Sequence, residues 1–252
     1  MQPVSESNRG NELAEIETLR IAETFTSRQG EGSLTGTPSF FVRTSGCNLR
    51  CWFCDTPYAS WRPEGGQVAI DDLVAQARRA VDADGHEVRH VVLTGGEPLL
   101  FPAIETLCRI LRADGFHVTV ETAGTVDRDV AWDLLSLSPK FAGSGPDAAD
   151  HPAWAARHED RRLPIDVMRR LMHRSDAVQV KFVVDSPRDF DELTDIVERL
   201  NARPDVVWIM PQGRSAGVLN EARTWLQPWC DRQGYRYCDR MQIHWYGDRR
   251  GT

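Results

Sequence analysis

No stretch of this 252-residue chain approaches the ~18 uninterrupted apolar residues that a membrane-spanning helix requires. The first twenty residues, MQPVSESNRGNELAEIETLR, lack the apolar segment of a signal peptide. Positive charge is not in excess: 30 Lys and Arg face 37 Asp and Glu, leaving −7. That balance argues against nonspecific binding to nucleic acid or to an anionic membrane. Sequence repeats of fixed period are also missing, which excludes solenoids and propellers. The expectation is a cytoplasmic protein that engages neither nucleic acid nor membrane. Its composition, 41% hydrophobic and 27% charged, suits one large globular domain. We assign that domain to residues 15–252, preceded by a flexible leader over residues 1–14.

Six cysteines in a reducing compartment call for an explanation other than disulfides. Three of them, Cys47, Cys51 and Cys54, form a CX3CX2C run within RTSGCNLRCWFCDT. Thiolates this close converge on one metal centre. Three is an unusual number, because structural zinc and ordinary iron–sulfur clusters each take four protein ligands. A [4Fe–4S] cluster held by three cysteines keeps one iron open to a small molecule. The spacing also suits a zinc loop whose fourth ligand comes from Cys108, Cys230, Cys238 or one of the seven histidines. Cys108 falls on an apolar helical face and reads as a small buried hydrophobe.

Around this loop the chain alternates strand and helix. LRIAETF and SFFVRTS read as strands, and DDLVAQARRAVDAD as a helix capped by Asp71 or Asp72. HVVLTGGEP reads as a buried strand, PAIETLCRILRADG as a helix, FHVTVETAG as a strand, DRDVAWDLL as a helix and LSLSPK as a strand end. An irregular polar insertion over residues 143–164 follows, with room for a short helix. PIDVMRRLMHR, VQVKFVV, DFDELTDIVERL, VVWIMPQG and NEARTWLQPWCDRQG complete the alternation. Repeated strand–helix units predict an α/β fold, a parallel sheet with right-handed crossovers. About six strands point to a partial, open β/α barrel. Lys181, a charge inside the apolar VQVKFVV, reads as a stem crossing the sheet with its head in solvent.

The CX3CX2C run with an aromatic before its last cysteine, followed by TGGEPLL at the end of the next strand, resembles the radical S-adenosylmethionine superfamily. SRQGEG, ETAGT, SPK, HPAWAARHEDRR, MPQG and the terminal IHWYGDRRG narrow the resemblance to the 7-carboxy-7-deazaguanine synthase family. It runs from about Arg20 to the C-terminus and implies a partial barrel of radical S-adenosylmethionine type. The implied activity is that of a carbon–nitrogen lyase. It contracts 6-carboxy-5,6,7,8-tetrahydropterin to 7-carboxy-7-deazaguanine with loss of ammonia, a step of queuosine and 7-deazapurine biosynthesis.

The resemblance also implies a [4Fe–4S] cluster on Cys47, Cys51 and Cys54, S-adenosylmethionine on its open iron, and Mg2+ on Thr56. Cofactor contacts map to Phe53, Asp55, Gly96, Ser138, Pro139, Lys140 and Gln212. Substrate contacts map to Arg28, Gln29, Gly30, Glu31, Arg43, Thr94, His244 and the C-terminal Thr252. Arg43 would grip the substrate carboxylate through its planar fork, and Gln29 and Glu31 would meet the pterin edge with the backbone of Arg28 and Gly30. No catalytic side chain is expected beyond the cluster and cofactor. A flavodoxin or ferredoxin would supply electrons, and the enzyme would be a homodimer. Two rival readings are an activase that installs a glycyl radical on a partner protein, and a non-catalytic zinc module.

Overall fold

The computed structural model describes residues 17–252, so the leader expected over residues 1–14 lies outside the described residues. Nine strands form one sheet. They are β1 (Thr18–Arg28), β2 (Pro38–Thr44), β3 (Gly66–Ala69), β4 (His90–Gly95), β5 (His117–Thr122), β6 (Leu134–Leu137), β7 (Val178–Val184), β8 (Val207–Pro211) and β9 (Arg236–Tyr237). Their order is β3-β1-β2-β4-β5-β6-β7-β8-β9. From β2 to β9 every pairing is parallel, while β1 and β3 extend the edge antiparallel. The six strands β2, β4, β5, β6, β7 and β8 are those expected from the strand–helix alternation. The antiparallel β1 contains the LRIAETF strand read from the sequence, whereas the four-residue β3 and two-residue β9 are too short to show a strand period.

The helices are α1 (Ile70–Arg78), α2 (Ile104–Ala113), α3 (Pro152–Arg161), α4 (Ile165–His173), α5 (Phe190–Leu200), α6 (Ala216–Gln233) and α7 (Met241–Tyr246). On α2, Ile104, Leu107, Cys108 and Leu111 recur at helical spacing and are fully buried. Cys108 is therefore core, as its apolar face suggested. The outer face of the sheet joins these helices in one continuous apolar core. The inner face is different: Arg43 pairs with Thr94 across β2 and β4, and Glu121 with Ser136 across β5 and β6. Parallel register thus sets polar side chains from successive strands at one level, inside an opening.

Three expected elements differ. Asp71 and Asp72 lie in the first turn of α1 and do not cap it; Ala69 is at the cap position, and the acidic pair instead complements the helix dipole. The same helix stops at Arg78, short of Asp84, because Val81 bridges to Glu87 and Asp82 accepts hydrogen bonds from the amides of Asp84 and His86 in a tight turn. DRDVAWDLL is not helical. Asp133 accepts from Val118 N–H at 2.8 Å, and Trp132 turns inward with its indole N–H on Ser175 at 2.7 Å, so the segment runs extended into β6.

Candidate active site

A cavity of about 550 Å³ opens at the carboxyl ends of the parallel strands, the place where ligands collect in α/β sheets. One wall is the cysteine loop. It leaves β2 at Thr44 and is fixed by backbone contacts: Gly46 N–H donates to Ala59 O at 2.8 Å and Glu97 N–H to Gly46 O at 2.9 Å. Gly96 packs against this turn so closely that a Cβ there would sit 2.0 Å from Gly46 O. The glycine pair of TGGEPLL is therefore a steric requirement of the cysteine loop. Glu97 faces away from the cavity. It accepts from Leu99 N–H, Thr122 Oγ1 and Ala123 N–H, and burial raises its pKa above the ordinary value.

The polar insertion supports the loop from outside. Arg50 N–H donates to His158 Nδ1 at 3.1 Å, which places the ring proton on Nε2, facing Ser144 Oγ at 2.8 Å. His158 is 1% exposed. Burial, with Lys140 and Arg162 nearby, pulls its pKa down to about 4. The Arg50 guanidinium donates to Cys47 O and Leu49 O and stacks 3.8 Å from the Trp154 ring centre. Trp52 N–H donates to Ser144 O at 3.1 Å, and its indole N–H to Gly143 O at 3.0 Å.

Cys47, Cys51 and Cys54 all line the cavity and all are free thiols. Burial pushes the Cys47 thiol up to about 12 and Cys51 to about 11, so neither ionises at neutral pH unless a metal takes the proton's place. Three thiols from one loop, with the other three cysteines outside this cavity, match the three protein ligands of a [4Fe–4S] cluster that keeps one iron open. The other three cysteines sit elsewhere: Cys108 and Cys230 in the core, and Cys238 accepting from Gly32 N–H.

The opposite wall is charged. Arg43 donates from Nε to Glu23 at 2.7 Å, and Glu23 also accepts from Tyr58 at 2.7 Å and from Arg250 at 2.9 Å. Burial opposes the charge on Glu23, but these three donors hold its carboxyl below the ordinary value. Deeper in, Glu31 accepts from Lys181 Nζ at 2.6 Å, Gln242 Nε2 at 2.6 Å and Arg240 Nε at 3.4 Å. Lys181 also reaches Glu121 at 3.4 Å, which accepts from Thr94 Oγ1 at 2.7 Å. Arg240 pairs with Asp55 beside the last cysteine. Burial works against the charge of Glu31, yet the Lys181 and Arg240 cations hold it well below the usual carboxylate range.

Of the residues singled out in the sequence, Glu31, Arg43, Phe53, Asp55, Thr56, Thr94, Gly96, Ser138, Lys140, Gln212 and Thr252 line this cavity with the three cysteines. Lys140 curls back so that Nζ donates to Ser138 O and Oγ. Five others do not line it. The Arg28 side chain lies over the Trp245 ring at 4.3 Å and bonds Tyr246. Gln29 is buried on Ser39, and its carbonyl accepts from Gly36 N–H. Gly30 gives its carbonyl to Met241 N–H. Pro139 only shapes the SPK bend. His244, next in the chain after the cavity-lining Gln242 and Ile243, bonds Asp239 at 3.1 Å.

Lys181 corrects the sequence reading outright. Its head is not in solvent; the residue is 6% exposed and lines the cavity. Sequence reasoning also passed over Glu23, Glu121, Arg240 and Gln242. One signal was available for the lysine: the chain has only two, Lys140 and Lys181, every other basic residue being arginine. Both lysines are in this cavity.

The fold and the thiol set define a radical S-adenosylmethionine protein, and the Radical SAM superfamily matches residues 41–152. The structure is similar to the crystal structure of QueE from Escherichia coli, with a TM-score of 0.64 and 24% identity, over 89% of this chain and 94% of that one. The 7-carboxy-7-deazaguanine synthase of Rhodopirellula baltica is 55% identical over 96% of this chain and 92% of its own length. That of Halobacterium salinarum is 42% identical over 98% of both. The chain belongs to the 7-carboxy-7-deazaguanine synthase family.

Proposed function

We propose that the chain is a carbon–nitrogen lyase that converts 6-carboxy-5,6,7,8-tetrahydropterin to 7-carboxy-7-deazaguanine with loss of ammonia. The observation that carries the reading is one cavity with three free thiols on one wall and Arg43, Glu31 and Thr94 on the other. Its size and mixed lining suit a small polar ligand beside a cofactor. Cys47, Cys51 and Cys54 would hold the cluster, with Phe53, Asp55, Gly96, Ser138, Lys140 and Gln212 around S-adenosylmethionine. When bound, the cluster and S-adenosylmethionine would supply the radical chemistry, and these residues would hold and orient them.

The rest is binding and orientation by the protein. Arg43 engages Glu23 through Nε alone among the described residues. Its two terminal nitrogens are left to grip the substrate carboxylate. Glu31, kept ionised, accepts from the amino edge of the pterin, and Thr94 donates or accepts beside it. Thr56 lines the same cavity, and its hydroxyl suits Mg2+, which keeps most of its waters and takes one or two protein oxygens. Thr252 extends that rim. Arg28, Gln29 and Gly30 act by shaping the loop that carries Glu31, and His244 by holding the C-terminal segment.

A one-electron donor such as flavodoxin or ferredoxin completes the system, and the resemblance supports a homodimer. Free thiols suit a reducing, cytoplasmic setting, and no described helix is long and apolar enough to cross a membrane. A glycyl-radical activase has no use for the buried Arg43 and Glu31 pairs. The test is anaerobic reconstitution with iron and sulfide, then incubation with S-adenosylmethionine, reductant and 6-carboxytetrahydropterin. Mass spectrometry should find 7-carboxy-7-deazaguanine. A loaded enzyme that cleaves S-adenosylmethionine yet leaves the pterin intact would refute the reading.

A further inference from the structure

We propose that Lys181 is a positioning residue of the substrate site, holding the carboxyl groups of Glu31 and Glu121 at a fixed separation. The inference rests on the pterin reading above. Its geometry is a chain of hydrogen bonds along the cavity floor: Thr94 to Glu121, Lys181 to Glu121, and Lys181 to Glu31 at 2.7, 3.4 and 2.6 Å. Thr94 and Glu31, both lining the cavity, are thereby linked through Glu121 and one ammonium group. Gln242 and Arg240 take the other oxygen of Glu31, so its orientation is set from three directions.

A lysine suits this position better than an arginine. A compact ammonium with three rotatable donors can bridge two carboxylates in a narrow space, whereas a guanidinium fork fits one at a time. In a chain whose basic residues are otherwise all arginine but one, that choice is informative. The charged and titratable groups facing Lys181 are Glu31 after β1, Glu121 on β5, Lys140 after β6, and Cys238 and Arg240 on the C-terminal segment. Removing the ammonium leaves the two carboxylates in a buried site with less compensation. Glu31, with Arg240 as its remaining cationic partner, then keeps its proton to higher pH than in the native protein, and a protonated Glu31 accepts poorly from the pterin edge.

The probe is 6-carboxypterin, titrated by its own fluorescence against reconstituted protein from pH 5.5 to 7.0, below the ionisation of the pterin's own lactam N–H. The native protein should give an affinity that is flat across this range. K181M should bind roughly tenfold or more weakly at the low end of this range, the scale of a lost charged hydrogen bond, and should recover affinity as pH rises through it. K181R, which keeps the charge, should bind weakly with a flat profile. If K181M does not fold, the double variant K181M/E121Q, with the buried charge rebalanced, carries the measurement; a flat profile with partial affinity is expected. Native-like affinity with a flat profile in K181M, or a pH-independent loss, overturns this inference alone. Failure of the native protein itself to bind 6-carboxypterin overturns the pterin reading as well.

Discussion

The two walls of the cavity are built by different means. The cysteine wall is held by backbone: turns, glycine approaches, and main-chain hydrogen bonds to His158 and Ser144. The charged wall is held by side chains from distant parts of the chain, such as Glu31 with Lys181, 150 residues apart, and Arg240 with Asp55, 185 apart. A backbone-built wall tolerates little change in shape and carries a metal centre with fixed ligand spacing. A charge-built wall depends on mutual compensation, because each buried ion is costly without its partner. Substitutions on the first wall should therefore alter what the protein holds, and those on the second how well it binds.

The largest effect is expected from Cys51→Ala. With one of three thiolates gone, the cluster absorbance of reconstituted protein should vanish, while the thermal midpoint of the apoprotein stays within a few degrees because the residue is only half-buried. A variant that still assembles a normal cluster would show that the three-cysteine ligand set is wrong. Arg43→Ala comes next and inverts the pattern. Cluster absorbance should persist, while affinity for 6-carboxypterin falls roughly ten- to a hundredfold, as expected for a lost charge-assisted pair. Arg43→Lys should recover little of it, since a point charge cannot reproduce two parallel contacts. Unchanged affinity in Arg43→Ala would remove the residue from the carboxylate site and erase the contrast between the walls.

The same contrast explains what the sequence disclosed. CX3CX2C, GGEP and SPK are local patterns whose backbone geometry is encoded within a few residues, so the cysteine wall and the six-strand alternation were legible. Lys181 was not, because an amphipathic strand residue and a buried bridge look alike until Glu31 and Glu121 are known to face it. Glu23 and Arg240 belong to ion pairs closed only by the sheet, and no spacing rule finds them. His244 is a different case: the resemblance implies a substrate contact there, and in the structure its ring bonds Asp239 beside the cavity-lining Gln242 and Ile243. DRDVAWDLL has helical spacing yet runs extended, because the side chains that hold it open, Asp133 and Trp132, act on β5 and on Ser175.

The smallest expected effect tests whether the backbone-built wall has one titratable weak point. His158 accepts the Arg50 amide on Nδ1, so protonating that nitrogen breaks a buried contact under the cysteine loop. Its folded pKa, about 4, lies below the ordinary 6.5. Between these values the unfolded chain takes up a proton that the folded chain refuses, so the contribution to stability is full above pH 6.5 and is lost progressively as pH falls toward 4. His158→Ala leaves the Arg50 amide unsatisfied and should cost about 1–3 kcal/mol locally, seen as faster iron release to a chelator at pH 7. His158→Asn can accept from the same amide without titrating. It should hold iron near native levels at pH 7 and lose less of it at pH 5 than the native protein does. Since thiolate protonation adds an acid dependence common to both proteins, the difference between them is the diagnostic quantity. Identical acid profiles for the native and His158→Asn proteins would mean that the loop is indifferent to the charge beneath it.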